Sequence, residues 1–382
     1  MSESFDFLVA GGSIAGLTFA SEAGRMGAKV LVAEEHEEIG EPEKCDGLVS
    51  LRGLKKYGYP PKASVIQNRI ASAVVHSPGG REFSVNASSL EVVVLDRSEY
   101  DKQAARAAES NGASVRTGSR VSGLSQYEDN IRAMVGGEEV TAKYFVDATG
   151  PASSPRQGIL PAAKYELEGD WVRDTVVELF MDAERYPGFF AWVIPYGKHR
   201  AKVGAAGRGI NPFRALDSFL SDKECTIIRK VSAPIYVGGP APTFLDQRRI
   251  LVGESAGQVK PTTAGGIMTS VAGAAIAAKW ACASLKGGRP DLLARYQPEW
   301  ESAFLKEMKA MLRLRGVLEK LTNSDIEAVM RALSAPKLVQ KLSRTDFDYH
   351  ASALLGALGV PGLLRVAKVV ASAEVRSMLI EA

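Results

Sequence analysis

The sequence has few residues that could form covalent cross-links or hold a metal. Its three cysteines, Cys45, Cys225 and Cys282, are odd in number and far apart, so they predict neither a disulfide framework nor a CxxC metal site. The four histidines are scattered, and no two share helical spacing. We therefore expect no metal, and a reducing cytoplasm suits this cysteine content.

The chain also has no large excess of positive or negative charge. The net charge is only +3, and basic residues alternate with acidic ones along most of the chain. Nucleic-acid binding needs clustered basic charge, so we expect no nucleic-acid partner. The one basic stretch, residues 306–320, has Leu and Met at helical spacing and is typical of the solvated face of a helix.

No apolar run predicts a membrane span. Residues 261–278 carry no charge but are dominated by small residues, which favours a close-packed internal helix. Residues 351–364 are too short to span a bilayer and contain Pro361, so they indicate a buried or interfacial segment. Peripheral contact with the inner membrane surface stays open. The N-terminus lacks the basic region of a signal peptide and leads directly into a predicted strand.

The first 34 residues read as a βαβ unit. The strand FDFLVA (residues 5–10) leads into GGSIAG, then a helix, then the strand KVLVA (residues 29–33). Small residues in this turn permit a tight bend and let a helix N-terminus bind a pyrophosphate. The predicted dinucleotide contacts are Gly11, Gly12, Ser13, Ala15 and Gly16. Glu34 follows at the spacing of a ribose ligand, although Glu35 could take that role.

Two later motifs point to a flavin dinucleotide. VDATG (residues 146–150) and LVGESAG (residues 251–257) each put an acid and small residues after an apolar strand. Such an acid can bind a ribityl or ribose hydroxyl. PTTAGG (residues 261–266) then starts a helix whose positive end could face the electron-rich ring of a reduced flavin.

Several local signals define the rest of the chain. Residues from about 51 to 91 are strand-like, and SPGG (residues 77–80) predicts a hairpin turn between two of these strands. Ser98 is expected to begin a helix with Asp101 in the capping-box position. After Asp291 the pattern is helical and amphipathic.

The predicted fold is α/β: a Rossmann-like parallel sheet with an inserted, mainly antiparallel sheet and a helical C-terminal tail. The nucleotide-binding domain is expected to be discontinuous, comprising residues 1–60, 90–160 and 245–290. The inserted substrate domain is expected to comprise residues 61–89 and 161–244, and the helical region residues 291–382.

Over about residues 1–300 the chain resembles FAD-dependent oxidoreductases of the hydroxybenzoate-hydroxylase fold. GGSIAG, the pair Asp96-Arg97, DATG and GESAGQVKPTTAGGI occur in that family's order. Glu254 stands where the family carries Asp, and Ala264 where it often carries Gly. The resemblance implies FAD as cofactor. With the motifs above, it implies a further set of FAD contacts: Cys45, Asp46, Gly47, Arg97, Val121, Ala148, Thr149, Gly150, Gly253, Glu254, Gly257, Pro261, Ala264, Gly265, Gly266 and Ile267.

A narrower resemblance is to the geranylgeranyl reductases. PGFFAWVIP (residues 187–195), with Val203-Gly204 at the expected spacing, is similar to their PxxYxWxFP signature followed by VG. Cys45 in EKCDGL matches the cysteine of their flavin loop, and Tyr296, Trp300 and MLRLRGVLEKL resemble their helical tail. This resemblance implies saturation of isolated double bonds in geranylgeranyl chains of archaeal-type lipids or related prenyl groups.

The implied chemistry assigns roles to five residues. Phe189, Phe190, Trp192 and Ile194 would bind the prenyl chain, and Cys45 would donate a proton or contact the flavin. Ordinary core packing of the strand and simple burial of the thiol are the alternatives. The electron donor could be a nicotinamide, a ferredoxin or another reductant, since no second dinucleotide motif is visible.

Two other functions compete with the prenyl reductase. FAWVIP also resembles the WxWxIP signature of flavin-dependent halogenases, which implies a monooxygenase or halogenase acting on an aromatic substrate. A non-enzymatic electron-transfer or redox-sensing flavoprotein is the third possibility, without the iron–sulfur cysteines expected of it. Cys45 and the tail favour the reductase.

Overall fold

A computed structural model describes residues 3–151, 157–334, 339, 347–349 and 351. Within these residues the strands lie in four sheets. They are β1 (Glu3–Ala10), β2 (Val30–Ala33), β3 (Leu48–Ser50), β4 (Ile66–Arg69), β5 (Ser72–His76), β6 (Glu82–Asn86), β7 (Val92–Leu95), β8 (Ser114–Arg116), β9 (Val121–Gln126), β10 (Ile131–Val135), β11 (Glu138–Asp147), β12 (Ile159–Leu160), β13 (Ala162–Glu168), β14 (Val176–Phe180), β15 (Ala191–Gly197), β16 (Arg200–Ala206), β17 (Thr226–Ser232), β18 (Ile235–Tyr236), β19 (Leu245–Asp246) and β20 (Arg249–Leu251).

The first sheet has the order β19-β20-β11-β1-β2-β8, and β10 and β9 extend from β11. Strands β20, β11, β1, β2 and β8 run parallel. The last four residues of β1 are buried on both faces, as expected for a strand inside a parallel sheet covered by helices. This sheet confirms the predicted Rossmann-like fold, and its carboxyl edge carries the first turn of the dinucleotide motif.

A second sheet has the order β17-β13-β16-β15-β14-β5-β6. All of its neighbouring strands are antiparallel except β14 and β5. β5 and β6 form the hairpin predicted around SPGG. Two small sheets, β3-β7-β4 and β12-β18, complete the strand pairing. The inserted, mainly antiparallel sheet is therefore confirmed.

Seven α-helices occur in the described part of the chain. They are α1 (Ile14–Arg25), α2 (Leu51–Lys56), α3 (Arg97–Ser110), α4 (Pro212–Phe219), α5 (Ile267–Gly287), α6 (Tyr296–Leu318) and α7 (Asn323–Leu333). Helix α1 packs against α3 and α5 on the parallel sheet, and α4 covers one face of the antiparallel sheet. The helical character predicted after Asp291 is confirmed for α6 and α7.

Two local predictions were wrong. Residues 51–56 form helix α2 rather than a strand, because the Ser50 hydroxyl accepts from the Gly53 amide and caps the first turn. Helix α3 begins one residue before Ser98, and its cap is Asp96, whose carboxylate accepts from the Glu99 amide. The side chain of Asp101 pairs with Arg97 instead of closing a capping box.

Helix α5 is the one described helix long and apolar enough to cross a membrane by length and composition. Most of that apolar window, 72%, is buried inside the protein, and α5 packs against α1 and α6. The internal helix predicted for residues 261–278 is therefore confirmed from Ile267 onward. Apart from Ala351, the apolar segment 351–364 lies outside the described residues.

Candidate active site

The first turn of the chain lies at the carboxyl edge of the parallel sheet. Gly11 has φ +106°, and a Cβ there would lie 2.5 Å from the Ala148 carbonyl oxygen. A Cβ on Gly16 would meet the Gly11 carbonyl, so helix α1 can lie close to β1 only with glycine at that position. Ser13 is the N-cap of α1, and its side chain makes no capping bond to the helix amides. The amides at this N-terminus therefore remain available for a ligand.

Glu34, at the end of β2, turns toward this helix N-terminus. Its carboxylate accepts from the Gly12 amide at 2.6 Å and from the His36 amide at 3.0 Å. Glu35 instead points away and lies 3.7 Å from the guanidinium of Arg120. Of the two predicted ribose ligands, Glu34 is thus the one next to the glycine turn.

The acid in DATG does not face the site. The Asp147 carboxylate accepts from the Thr149 amide and hydroxyl and from the Ser255 hydroxyl, and it pairs with Arg249. Burial tends to raise its pKa, but the bonds from Arg249 and Thr149 hold that pKa below its usual range. Asp147 therefore ties the two flavin motifs together, and our expectation that it binds a cofactor hydroxyl was wrong.

Glu254, the acid of the other motif, is placed differently. Its carboxylate lies 3.9 Å from the position that a Cβ on Gly150 would take, and no hydrogen bond or ion pair joins that carboxylate to the described residues. Burial raises its pKa, and the charge of Arg97 opposes that rise. Glu254 is thus a half-buried carboxyl group that makes no hydrogen bond or ion pair with the described part of the chain.

Arg97 is buried beside Cys45. Its guanidinium donates two hydrogen bonds to the Asp101 carboxylate, at 2.9 and 3.0 Å, while Nε has no partner in the described part of the chain. Burial acts to lower the pKa of Arg97, but the neighbouring Asp101 carboxylate and Cys45 thiol raise it. The Cys45 side chain itself is exposed.

The loop around Cys45 connects the nucleotide fold with the antiparallel sheet. Gly47 has φ +80°, and a Cβ would lie 2.2 Å from the Leu95 carbonyl oxygen, so this position requires glycine. The Leu95 amide donates to the Gly47 carbonyl. Asp46 accepts from the indole N–H of Trp192 at 2.8 Å. Gly47 therefore fixes the loop to β7, and Asp46 fixes it to β15.

The spacing of Trp192 and Gly204 now has a structural reason. The two residues are direct partners on the antiparallel strands β15 and β16. A Cβ on Gly204 would lie 2.2 Å from the indole ring, so glycine lets the ring lie flat across β16. The ring position then aims the indole N–H at Asp46.

The four predicted substrate residues are brought together in one apolar cluster. Phe189 stacks on Phe190 at 4.1 Å between centroids, and both rings meet Trp192 edge to face. Ile194 joins them on the same side, and Leu48 and Ala264 pack at the margin of the cluster. All four residues are buried, with at most 8% of any one exposed.

The structure gives packing reasons for three of the remaining predicted cofactor residues and places a fourth, Val121, elsewhere. Ala15 touches Gly253, where a Cβ would come within 2.7 Å of the alanine methyl. Gly257 packs against the backbone of residues 239–241, which gives it a structural reason to be glycine. Val121 begins β9 and packs on the far side of the parallel sheet.

The PTTAGG motif forms the turn before α5. Ala264 adopts φ +53°, a left-handed conformation in which glycine would be less strained than alanine. Gly265 approaches the Lys260 side chain, and Gly266 is the N-cap of α5. Pro261 and Ile267, which begins the helix, are buried.

Sequence reasoning missed several charged residues behind the Cys45 loop. Lys164 and Lys202 are each 1% exposed and contact Glu43 and the loop backbone. Their signal in the sequence was weak: charged residues at alternate positions of apolar strands, on the same face as Trp192. Among the described residues no group of His, Cys, Asp and Glu could hold a metal ion.

These residues fit a flavin dinucleotide. The glycine turn ends at a helix N-terminus whose amides have no side-chain cap, and phosphate oxygens are stabilised at such a terminus. Among the described residues, the buried Arg97 Nε has no hydrogen-bond partner, and the half-buried Glu254 carboxylate makes no hydrogen bond or ion pair. Unpaired buried polar groups of this kind are costly unless a ligand completes them.

Comparison with known proteins agrees with this arrangement. The family model described as FAD dependent oxidoreductase matches residues 6–158. Digeranylgeranylglycerophospholipid reductase 2 of Methanothermobacter thermautotrophicus is 30% identical to the chain over 364 residues, which are 89% of this chain and 94% of the relative.

Solved structures share the fold. A geranylgeranyl bacteriochlorophyll reductase-like protein from Thermoplasma acidophilum superposes with a TM-score of 0.85 at 22% identity, covering 97% of this chain and 99% of the other. The flavin-dependent monooxygenase PieE is more distant, with a TM-score of 0.67 at 16% identity, covering 97% and 72%. The chain is an FAD-dependent oxidoreductase and belongs to the family of the digeranylgeranylglycerophospholipid reductases.

Proposed function

We propose that this chain saturates isolated C=C bonds of geranylgeranyl chains, in membrane lipids or their precursors, at the expense of reduced FAD. One observation carries the proposal: the apolar cluster of Phe189, Phe190, Trp192 and Ile194 lies on the sheet face to which the Cys45 loop is bonded. A prenyl chain has no polar group near its double bonds, so only an apolar surface at this position could bind it.

The residues that would hold FAD come from three segments. The amides at the start of α1 would bind the pyrophosphate, and Glu34 would accept hydrogen bonds from a ribose. Arg97 and Glu254 would satisfy their unpaired polar groups on the cofactor. Bound and reduced, FAD would supply the hydride. Because an unactivated alkene has no carbonyl that the protein could polarise, the chain's own residues must position the double bond and supply a proton.

The chain's own residues orient the substrate and exclude water. Phe189 and Phe190 form a rigid aromatic pair, and Trp192 is fixed from two sides, by Gly204 below and Asp46 at its N–H. Such fixed groups hold a flexible chain in one orientation. This raises the rate of the chemical step more than tighter binding alone would. Burial of the cluster keeps the reacting bond dry.

The second hydrogen must arrive as a proton. Saturation adds a hydride to one alkene carbon and a proton to its neighbour, so that the C=C π bond breaks and two C–H bonds form. We assign the proton to the Cys45 thiol, because it is exposed, lies beside Arg97 and belongs to the loop that Asp46 bonds to Trp192. The thiolate left behind would be reprotonated from solvent.

Each saturated bond consumes two electrons, so an external reductant is required. A nicotinamide, a ferredoxin or another reductant could supply them. The proposal also keeps the expected domain limits, with residues 61–89 and 161–244 as the substrate domain. They are supported by the seven-stranded sheet, whose strands all lie within these ranges.

Anaerobic reoxidation tests the proposal. Protein loaded with FAD and reduced by dithionite is mixed with a digeranylgeranylglycerol lipid, and the return of the oxidised flavin spectrum is followed. We expect reoxidation by this lipid and none by its fully saturated analogue. If the unsaturated lipid also fails to reoxidise the flavin, and the protein instead hydroxylates or halogenates an aromatic compound with oxygen, the monooxygenase or halogenase would be favoured.

A further inference from the structure

Six charged side chains are packed between the antiparallel sheet and the Cys45 loop. Three are cations from the sheet and three are anions, two of these from the loop. Lys164 and Lys202 are 1% exposed, and Glu43 is 8% exposed. The six residues are Glu43, Asp46, Lys164, Glu166, Lys202 and Arg229. We call them the loop-anchor cluster.

Strand register puts the sheet members of this cluster on the face that carries Trp192. Lys164 is opposite Gly204, which in turn is opposite Trp192. In the next row of the same face, Ile194, Lys202, Glu166 and Arg229 lie side by side across four strands. The cluster is therefore continuous with the proposed substrate-binding surface.

Both lysines hold the backbone of the loop as well as its side chains. The Lys164 ammonium donates to the Cys45 carbonyl at 3.0 Å, and the Lys202 ammonium lies 3.4 Å from the Asp46 carbonyl. Lys202 also pairs with the Glu43 carboxylate at 2.5 Å. Cys45 is thus held between Lys164 at its carbonyl and Arg97 beside its thiol.

Such a cluster stabilises a sheet less effectively than apolar packing would. Burying two ammonium groups costs free energy that their ion pairs only partly return, and apolar residues of similar volume often stabilise a protein as well or better. What ion pairs and directed hydrogen bonds supply in addition is a defined position for the groups they contact. Here those groups are the backbone of Cys45 and Asp46.

We propose that Lys164 and Lys202 are positioning residues for double-bond reduction: they hold the Glu43–Gly47 loop so that Cys45 and Trp192 face the same reacting bond. This inference rests on the proposed function. It predicts that the loop's position, and not only the protein's stability, depends on the cluster.

A double-variant cycle separates these two roles. Lys202→Met alone removes the cation nearest to the buried Glu43 carboxylate, leaves only the longer contacts to Lys164 and Arg229, and is expected to destabilise the protein. Glu43→Gln combined with Lys202→Met removes both charges, and we expect thermal stability to return toward the parent's. The kcat for prenyl reduction should stay about 10²-fold low in the double variant, because the loop is no longer held in place. FAD retention and KM should change little.

Lys230→Met is the matched control. Lys230 lies on β17 of the same sheet but is exposed and contacts Tyr165 and Asp217, away from the loop. We expect parent kcat and parent stability from this variant.

Hydrogen exchange gives a second readout that needs no catalysis. In the double variant, the amides of residues 41–49 should exchange faster than in the parent, while exchange in the parallel sheet stays unchanged. A double variant with regained stability, parent kcat and parent exchange would overturn the proposal. So would loss of FAD in parallel with kcat, since the cluster would then serve cofactor binding.

Hydrogen exchange distinguishes a failure of this inference from a failure of the proposed function. If the parent protein fails to reduce any prenyl lipid, the proposed function fails. Faster exchange confined to residues 41–49 would still support the anchoring of the loop, and unchanged exchange would refute it.

Discussion

Cys45 lies in a loop shared by the nucleotide fold and the antiparallel sheet, with its thiol beside Arg97 and its carbonyl bonded to Lys164. We expect Cys45→Ala to retain FAD and to lower kcat for prenyl reduction by about 10²-fold, the usual contribution of a general acid. Stopped-flow reoxidation of the reduced variant measures this rate. Parent-like reduction by Cys45→Ala would remove the thiol from the mechanism.

The other two cysteines are controls for that experiment. Cys225 lies at the edge of the antiparallel sheet, near the cluster under α4, and Cys282 is buried in α5, where burial raises the pKa of its thiol to about 11. Cys225→Ser should keep the parent rate.

In the parent apoprotein, iodoacetamide should modify Cys45 first, and FAD should protect it.

Trp192 contributes both ring surface and one hydrogen bond, and two variants separate them. Trp192→Ala removes both and should lower kcat/KM for the prenyl lipid much more than it weakens FAD binding. Trp192→Phe keeps most of the ring but loses the N–H that Asp46 accepts, so we expect an intermediate loss, about tenfold for one charge-assisted hydrogen bond. Equal losses of FAD and activity in both variants would mean that Trp192 is only structural.

At the scale of the element, the βαβ unit makes a distinct prediction about the two adjacent acids. Glu34 reaches the amide of Gly12, whereas Glu35 points toward Arg120. Glu34→Gln should weaken FAD binding by about tenfold, since one charged hydrogen bond to a ribose is lost. Glu35→Gln is the matched control and should bind FAD like the parent. Titration with FAD, followed by flavin fluorescence, compares them.

Elements with a strong local pattern could be predicted from the sequence. The βαβ unit, the β5–β6 hairpin and the internal helix α5 follow from apolar periodicity and from Gly and Pro in the turns. The start of α3 was misplaced because Asp96 and Ser98 are both good cap residues, and only the backbone decides between them. Asp147 was misassigned because its partner Arg249 is distant in the sequence.

In the candidate site, too, features with a local sequence pattern could be predicted, and contacts between distant segments could not. Trp192 and Gly204 were recognised by their spacing, but the bond from Trp192 to Asp46 joins segments 146 residues apart. Lys164 and Lys202 carry only a weak local sign of burial, since single lysines in strands are usually exposed. Their role depends on strand register across the sheet, which the sequence pattern does not determine.

At the scale of the whole molecule, Glu254 predicts a pH dependence of stability in the apoprotein. Burial raises its pKa in the folded state, so its contribution is fully present below the unfolded value of about 4.5 and is lost as the pH rises through the folded value. Glu254→Gln removes this loss. The variant's unfolding free energy relative to the parent should therefore increase between pH 4.5 and pH 8.

Urea unfolding of both apoproteins over that pH range measures the difference. Other titrating groups are common to parent and variant and cancel in the comparison. A difference that stays constant with pH would mean that Glu254 is solvated in the folded apoprotein.

Reduction of prenyl double bonds is the central claim, and the mass of the product tests it most directly. Protein loaded with FAD is incubated with a digeranylgeranylglycerol lipid and dithionite under anaerobic conditions, and the lipid is analysed by mass spectrometry. We predict a gain of two hydrogen atoms for each bond saturated, with no such gain when the protein is omitted. A lipid recovered at its original mass, from protein that retains its FAD, would contradict the account.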